Sequence, residues 1–167
     1  HVNGFDNTKL YVILNNQKNQ MNESGWGLKP IENVDDSFVK RYNTLNAKSE
    51  TVFDKQLYKE AILKRRCLIL ADGFYESKRV HKKSFPFLIQ LKNQQSFAFA
   101  GIYNYTIQGE LTCSILTTAA NQFMANIHNT KKRMPLILDR EAEFIWLSDL
   151  NKNEINQIIT DGFIKEE

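Results

Sequence analysis

The middle of the chain alternates short apolar runs with polar punctuation, and that rhythm limits the fold more than any other feature. Phe85 to Leu91, Ser96 to Tyr103 and Leu111 to Thr118 are rich in aromatic or β-branched residues, with Lys92-Asn93-Gln94 and Gln108-Gly109 between them. Runs of that length joined by turn-forming residues read as strands, and the three together predict a meander. Leu10 to Leu14 and the run Cys67-Leu68-Ile69-Leu70-Ala71 add strand-like segments. Strands dominate the middle of the chain.

Helical signals flank them. Asp54 stands where it would cap a helix whose Leu57, Tyr58, Ala61, Ile62 and Arg65 recur at three- and four-residue spacing. Asn121 precedes Phe123, Met124 and Ile127, and Asp139 precedes Arg140 to Leu147. A last helix carries Ile155, Ile158 and Ile159, capped by Asn151 or Asn153 and stopped at Gly162. The expectation is an α+β fold, mainly antiparallel, over residues 1–167 as one domain.

Composition narrows the class. Of the 167 residues, 42% are hydrophobic and 25% charged, which is ordinary globular usage. The apolar runs fall far short of the ~20 residues that span a bilayer, so no membrane association is expected. Cys67 and Cys113 form no C-x-x-C pair and have no histidine at zinc spacing, so neither a disulfide framework nor a metal site is indicated. Reduced, buried thiols fit a cytoplasmic protein. The formal net charge of +3 hides an asymmetry: residues 1–133 carry 19 basic and 11 acidic side chains, residues 134–167 carry 3 and 8. The basic residues cluster at Lys64-Arg65-Arg66, at Lys78-Arg79 with Lys82-Lys83, and at Lys131-Lys132-Arg133, a pattern that suits a polyanion partner.

Four segments stand out as candidates for chemistry. Trp26 lies between Gly25 and Gly27, where its ring could serve as a stacking platform or pack in a glycine-relieved strand. Asn46 sits in a polar stretch without period and offers two donors and an acceptor for orienting a reactive group. Glu76 closes the run Asp72-Gly73-Phe74-Tyr75-Glu76, where desolvation beside two aromatics would suit it to acid–base work. His128 has both apolar and basic neighbours in Ile127-His128-Asn129-Thr130-Lys131-Lys132-Arg133, and histidine is the usual proton carrier near neutrality. No G-x-S-x-G, P-loop or G-x-G-x-x-G occurs.

In order and spacing these pieces resemble the SRAP family, the SOS-response-associated peptidase domain that handles abasic sites in single-stranded DNA. The resemblance rests on Trp26-Gly27-Leu28-Lys29-Pro30, Asn46 to Thr51, Arg65-Arg66-Cys67-Leu68, Asp72 to Glu76, Ala100-Gly101-Ile102-Tyr103, Thr117 to Asn121, Ile127-His128 with Arg133-Met134-Pro135, and Trp146-Leu147. It implies a barrel-like antiparallel core flanked by helices, and a catalytic group of Asn46, Glu76 and His128. Asn46 would position the family's N-terminal cysteine, whose amine and thiol capture the abasic aldehyde as a thiazolidine. Glu76 and His128 would be the acid–base pair. Trp26, Lys48, Arg65, Arg66 and Arg133 would bind DNA. No cofactor is implied, peptidase activity would be limited to the protein's own initiator Met, and a monomer that is nucleoid-associated when DNA-bound is expected.

Three departures bear on this. Lys48 stands where the family has arginine, keeping the charge and losing the bidentate fork. Ser77 replaces a tryptophan after the glutamate. The opening His1-Val2-Asn3-Gly4-Phe5 resembles a stretch inside other members, so the cysteine-bearing segment is expected upstream. The alternative is a single-strand-binding module that has lost the crosslinking cysteine.

Overall fold

The computed structural model describes residues 9–162 apart from 33, 35, 36 and 93. Strands β1 (Lys9–Leu14) and β2 (Gln17–Trp26) open the fold, and β3 (Asn46–Lys48), β4 (Arg66–Ala71), β7 (Phe97–Tyr105), β8 (Leu111–Ala119) and β9 (Arg133–Pro135) complete the main sheet. Its order is β2-β1-β4-β7-β8, with β8 pairing back onto β2 and then β3, so the sheet closes into a barrel. Among the described residues only the β2–β8 and β3–β8 pairings are parallel. The barrel-like, mainly antiparallel α+β expectation is met.

Two apolar layers follow from strand alternation. One face of β4, β7 and β8 presents Leu68, Ala100, Ile102 and Leu116 to helices α2 (Lys59–Lys64), α4 (Arg140–Trp146) and α5 (Lys152–Asp161), which bury Ile62, Trp146 and Ile155 there. The other face contributes Val12, Cys67, Ile69, Phe99, Cys113 and Ile115 to a cluster with no helical member, which fills the barrel. Gly101 lies between the layers. A Cβ there would come within 2.8 Å of Cys67 Sγ, so side-chain-free backbone is required where β7 crosses β4.

Three caps match the sequence. Asn121 accepts from Met124 N at the start of α3 (Gln122–Ile127), and Asp139 accepts from Ala142 N at α4. Asn151 forms a full capping box with Glu154 at α5, which ends at Gly162. Asp54 caps nothing: a 3-10 turn at Ser49–Thr51 continues through bonds from Asp54 N and Lys55 N to Thr51 O, delaying α2 until Lys59. The short α1 (Phe38–Tyr42) and β2 carry no apolar period and were not read from sequence.

The predicted meander holds for β7 and β8 but not for its first strand. β6 (Lys83–Ile89) pairs with β5 (Phe74–Val80) in a separate two-stranded sheet. The two-residue turn His81-Lys82, with His81 at φ 52°, folds β6 directly back on β5. Nearly all of β6 is exposed, so no buried face recruits it to the barrel.

Candidate active site at the barrel rim

The rim at the C-terminal ends of β4 and β8 gathers Glu76, His128, Arg133 and Lys48 from four elements. Glu76 lies on β5, the arm that leaves the barrel after β4. His128 caps the C-terminus of α3, and its backbone N donates to Met124 O. Though 52 positions apart in sequence, the two side chains meet, with His128 Nδ1 3.4 Å from Glu76 Oε2. Each side chain is about four-fifths buried.

The hydrogen bonding fixes which histidine nitrogen is available. His128 Nδ1 lies 2.9 Å from Arg133 O, a carbonyl that only accepts, so Nδ1 carries the proton and donates. Nε2 is then the nitrogen free to exchange a proton, and Glu76 Oε2 stabilises the ring when it becomes an imidazolium. Glu76 Oε1 accepts from Ser77 N at 3.1 Å, which holds the carboxylate plane.

Asn129, next to the histidine, was not singled out in the sequence. Its Oδ1 accepts from Arg79 N at 3.0 Å and its Nδ2 donates to Arg79 O at 2.7 Å. The side-chain amide thus pairs with the free edge of β5 as a neighbouring strand would. This reciprocal bond ties the exposed arm to the loop that carries His128, three residues beyond Glu76. An Asn directly after a candidate histidine was the only local sign.

Arg133, the first residue of β9, is locked. Its Nη1 and Nη2 donate to Glu50 Oε1 and Oε2 at 2.6 and 2.9 Å, and Nη2 also donates to Thr117 O at 2.6 Å. Its buried Nε has no partner among the described residues. Burial pushes the Glu50 carboxyl up. The Arg133 hydrogen bonds, a bond from its own backbone and the Arg133 and Lys48 charges outweigh that and leave it below the usual carboxylate value. Sequence reading passed over Glu50, although it lies within the matching Asn46–Thr51 segment.

Asn46 and Lys48 are exposed on the same side of β3, opposite Ile115 and Thr117 of β8, and Ala47 between them is buried. Lys48 therefore stands level with the residue that anchors Arg133. Asn46 lies two residues further from the Glu76–His128 pair and makes no hydrogen bond with either. Trp26 pairs with Cys113, six residues along β8 from the partner of Arg133, and its Nε1 donates to Leu45 O at 2.9 Å. Packed against the barrel core and only half-buried, it is a wall more than a projecting platform.

Two expected DNA contacts are corrected. Arg66 is 1% exposed, and its guanidinium donates to four backbone carbonyls, those of Ile62, Leu63, Trp146 and Ser148. Four of its five N–H donors are spent inside the fold, and its burial keeps the group out of reach of a phosphate. Arg65 binds Asn104 Oδ1 and Glu60 Oε1. Its carbonyl accepts from Tyr103 N, and Tyr103 pairs with Cys113, six residues along β8 from Ala119, the partner of Arg133. At ~3.4 Å per residue, Arg65 lies roughly 20 Å from Arg133, at the opposite end of the barrel.

Neither cysteine in this sequence is a nucleophile. Both are fully buried. Burial pushes the Cys67 thiol well up, and raises that of Cys113 to about 12. Among the described residues no three His, Cys, Asp or Glu side chains are grouped to hold a metal ion, and no helix is long and apolar enough to cross a membrane.

A closed barrel with a buried glutamate–histidine contact and a tethered arginine at one rim defines the class of domain. The comparisons give its family. The model of the SOS response associated peptidase (SRAP) family matches residues 1–165. The chain is 39% identical over 147 residues to the abasic site processing protein YoaM of Bacillus subtilis, covering 85% of this chain and 63% of that protein. It is 34% identical over 147 residues to the abasic site processing protein HMCES of Xenopus tropicalis, covering 73% of this chain and 43% of that protein. A crystal structure of a Bacteroides thetaiotaomicron protein superposes with a TM-score of 0.87 at 34% identity, over 95% of this chain and 71% of that one. The chain belongs to the SRAP family. It spans less than two thirds of the length of these curated relatives.

Proposed function

We propose that the protein processes abasic sites in single-stranded DNA, with the Glu76–His128 contact at the rim as its reaction centre. The observation that carries this reading is the Glu76–His128 contact beside Arg133, assembled from three separate elements. The ring-closed abasic sugar must open before its aldehyde can react, which moves a proton from the anomeric hydroxyl and delivers one to the ring oxygen. His128 Nε2 and Glu76 are placed to carry those protons. The amine and thiol that capture the aldehyde are those of an N-terminal cysteine, since Cys67 and Cys113 are sealed in the barrel. The amine and aldehyde form an imine with loss of water, and addition of the thiol to the imine carbon closes the thiazolidine. Asn46 positions that cysteine, Arg133 and Lys48 hold phosphates, and the peptidase step is confined to the initiator Met.

The test is a denaturing gel of full-length protein incubated with an abasic single-stranded oligonucleotide. A heat-stable adduct is expected. Glu76→Gln and His128→Asn should each slow its formation by about 10²-fold, the lower end for lost acid–base assistance. No adduct with the wild-type protein, or one formed at the wild-type rate by both variants, would overturn the reading.

A further inference from the structure

The β5–β6 arm carries a feature that the acid–base pair does not use. Phe85 and Phe87 of β6 are 46% and 42% exposed, although an isolated two-stranded sheet gains little from leaving phenyl rings in water. Directly opposed residues of an antiparallel pair share a face. The register sets Phe87 opposite Glu76, Phe85 opposite Lys78 and Lys83 opposite Val80. One face of the arm therefore reads outward from the catalytic glutamate as Glu76 with Phe87, then Lys78 with Phe85, then Lys83. Same-face positions on a strand are about 6.8 Å apart. That is twice the ~3.4 Å spacing of stacked bases, so the two phenyl positions are separated by the thickness of one base.

We propose that this face of the arm is a base-stacking platform, on which Phe87 and Phe85 hold the nucleotides flanking an abasic site while Lys78 and Lys83 pair with their phosphates. The inference rests on the abasic-site reading above and extends it to how the lesion is presented. Charge complementarity selects the occupant. Residues 77–83 contain Lys78, Arg79, Lys82 and Lys83 and no acidic side chain. The one carboxylate on the face, Glu76, is turned to His128. Continuity supports the same choice, because a strand lying along the rings leads to the Glu76–His128 pair. A nucleotide without a base cannot stack, so its neighbours must supply the hold, and rings beside the pair supply it at the right place. The Asn129 bond to Arg79 fixes the platform relative to His128.

The test uses fluorescence anisotropy with two labelled oligonucleotides. Both contain a central tetrahydrofuran abasic analogue, which lacks the aldehyde and reports non-covalent binding. One has ordinary bases on either side, and in the other the flanking units are also tetrahydrofuran. Wild-type protein should bind the base-bearing strand about tenfold or more tightly than the base-free one. F85A/F87A should lose that preference and bind the two alike, with an unchanged melting temperature because both rings are exposed. F85Y/F87Y, which keeps the rings, should restore the preference. Lys78→Gln should lower the salt dependence on both strands by about one unit of slope. If F85A/F87A keeps the wild-type preference, or weakens binding equally on both strands, the platform is wrong while the abasic-site reading stands. The second pattern would make the aromatic face a structural or protein-docking surface instead. Wild-type protein that binds neither strand would overturn the abasic-site reading itself.

Discussion

Arg66→Met tests the division between structural and DNA-facing arginines. Arg66 spans the C-termini of α2 and α4, where the negative ends of both helices meet, and donates four bonds of 2.6 to 3.1 Å to their last carbonyls. Removing the guanidinium leaves those carbonyls without their donor, at about 1 kcal/mol each on the low end of the range for buried polar groups, or about 4 kcal/mol. Methionine keeps the apolar stem and removes the cost of burying a cation, which trims the loss to about 3 kcal/mol. Against a total stability of about 5–15 kcal/mol this is a large fraction. At about 2–4 °C per kcal/mol for a chain of this size, the melting temperature should fall by about 6–12 °C. Urea unfolding followed by circular dichroism should show a lower midpoint with unchanged slope. The salt dependence of single-strand binding should not change. An unaltered midpoint together with a salt slope reduced by about one would show that Arg66 holds a phosphate, and the placement argued above would be wrong.

Four other outcomes follow from the rim. Glu50→Gln should raise single-strand affinity at low salt, because it removes the carboxylate that competes with phosphate for Arg133. The same variant should flatten the acid limb of stability. The folded Glu50 carboxyl titrates below its ordinary value of 4.5, so its contribution is present above about pH 4.5 and fades as pH falls through the folded value; urea midpoints across pH 3–6 measure this. Cys67 and Cys113 should resist iodoacetamide in the native protein and react only after denaturation, as mass spectrometry would show. Asn129→Ala should cut adduct formation about tenfold with little change in melting temperature, since it frees the arm without opening the core.

What was legible in the sequence was what is local. Asn121, Asp139 and Asn151 announce their helices because a cap acts within three residues, and the structure keeps all three. Asp54 misled for the same reason: its periodic partners are real, but bonds to Thr51 O hold the chain in turns and delay the helix. The family motifs group Asn46, Glu76 and His128, and the structure brings the last two into contact. The arginines failed, because two adjacent basic residues look alike in a string while strand register decides their ends of the barrel. Arg66 begins β4 and Arg65 caps the helix before it, and β4 runs from them toward the rim, so the length of that strand separates both from Arg133.

The separation of β6 from the barrel carries the larger physical lesson. Strand propensity identifies Phe85 to Leu91 as extended but says nothing of its partner, and the nearest apolar strand, β7, already has β4 and β8 on its two edges. With both edges of β7 taken, the preceding segment pairs with β5, which leaves a hairpin anchored to the core through Phe74 while Phe85 and Phe87 stay exposed. Such an arm needs a tether to keep Glu76 against His128. Asn129 supplies it from the residue after the histidine, so both side chains of the Glu76–His128 contact are set by one short loop. The aromatic surplus of β6, which looked like core-forming material in the sequence, is in the structure a face that leads outward from the Glu76–His128 contact.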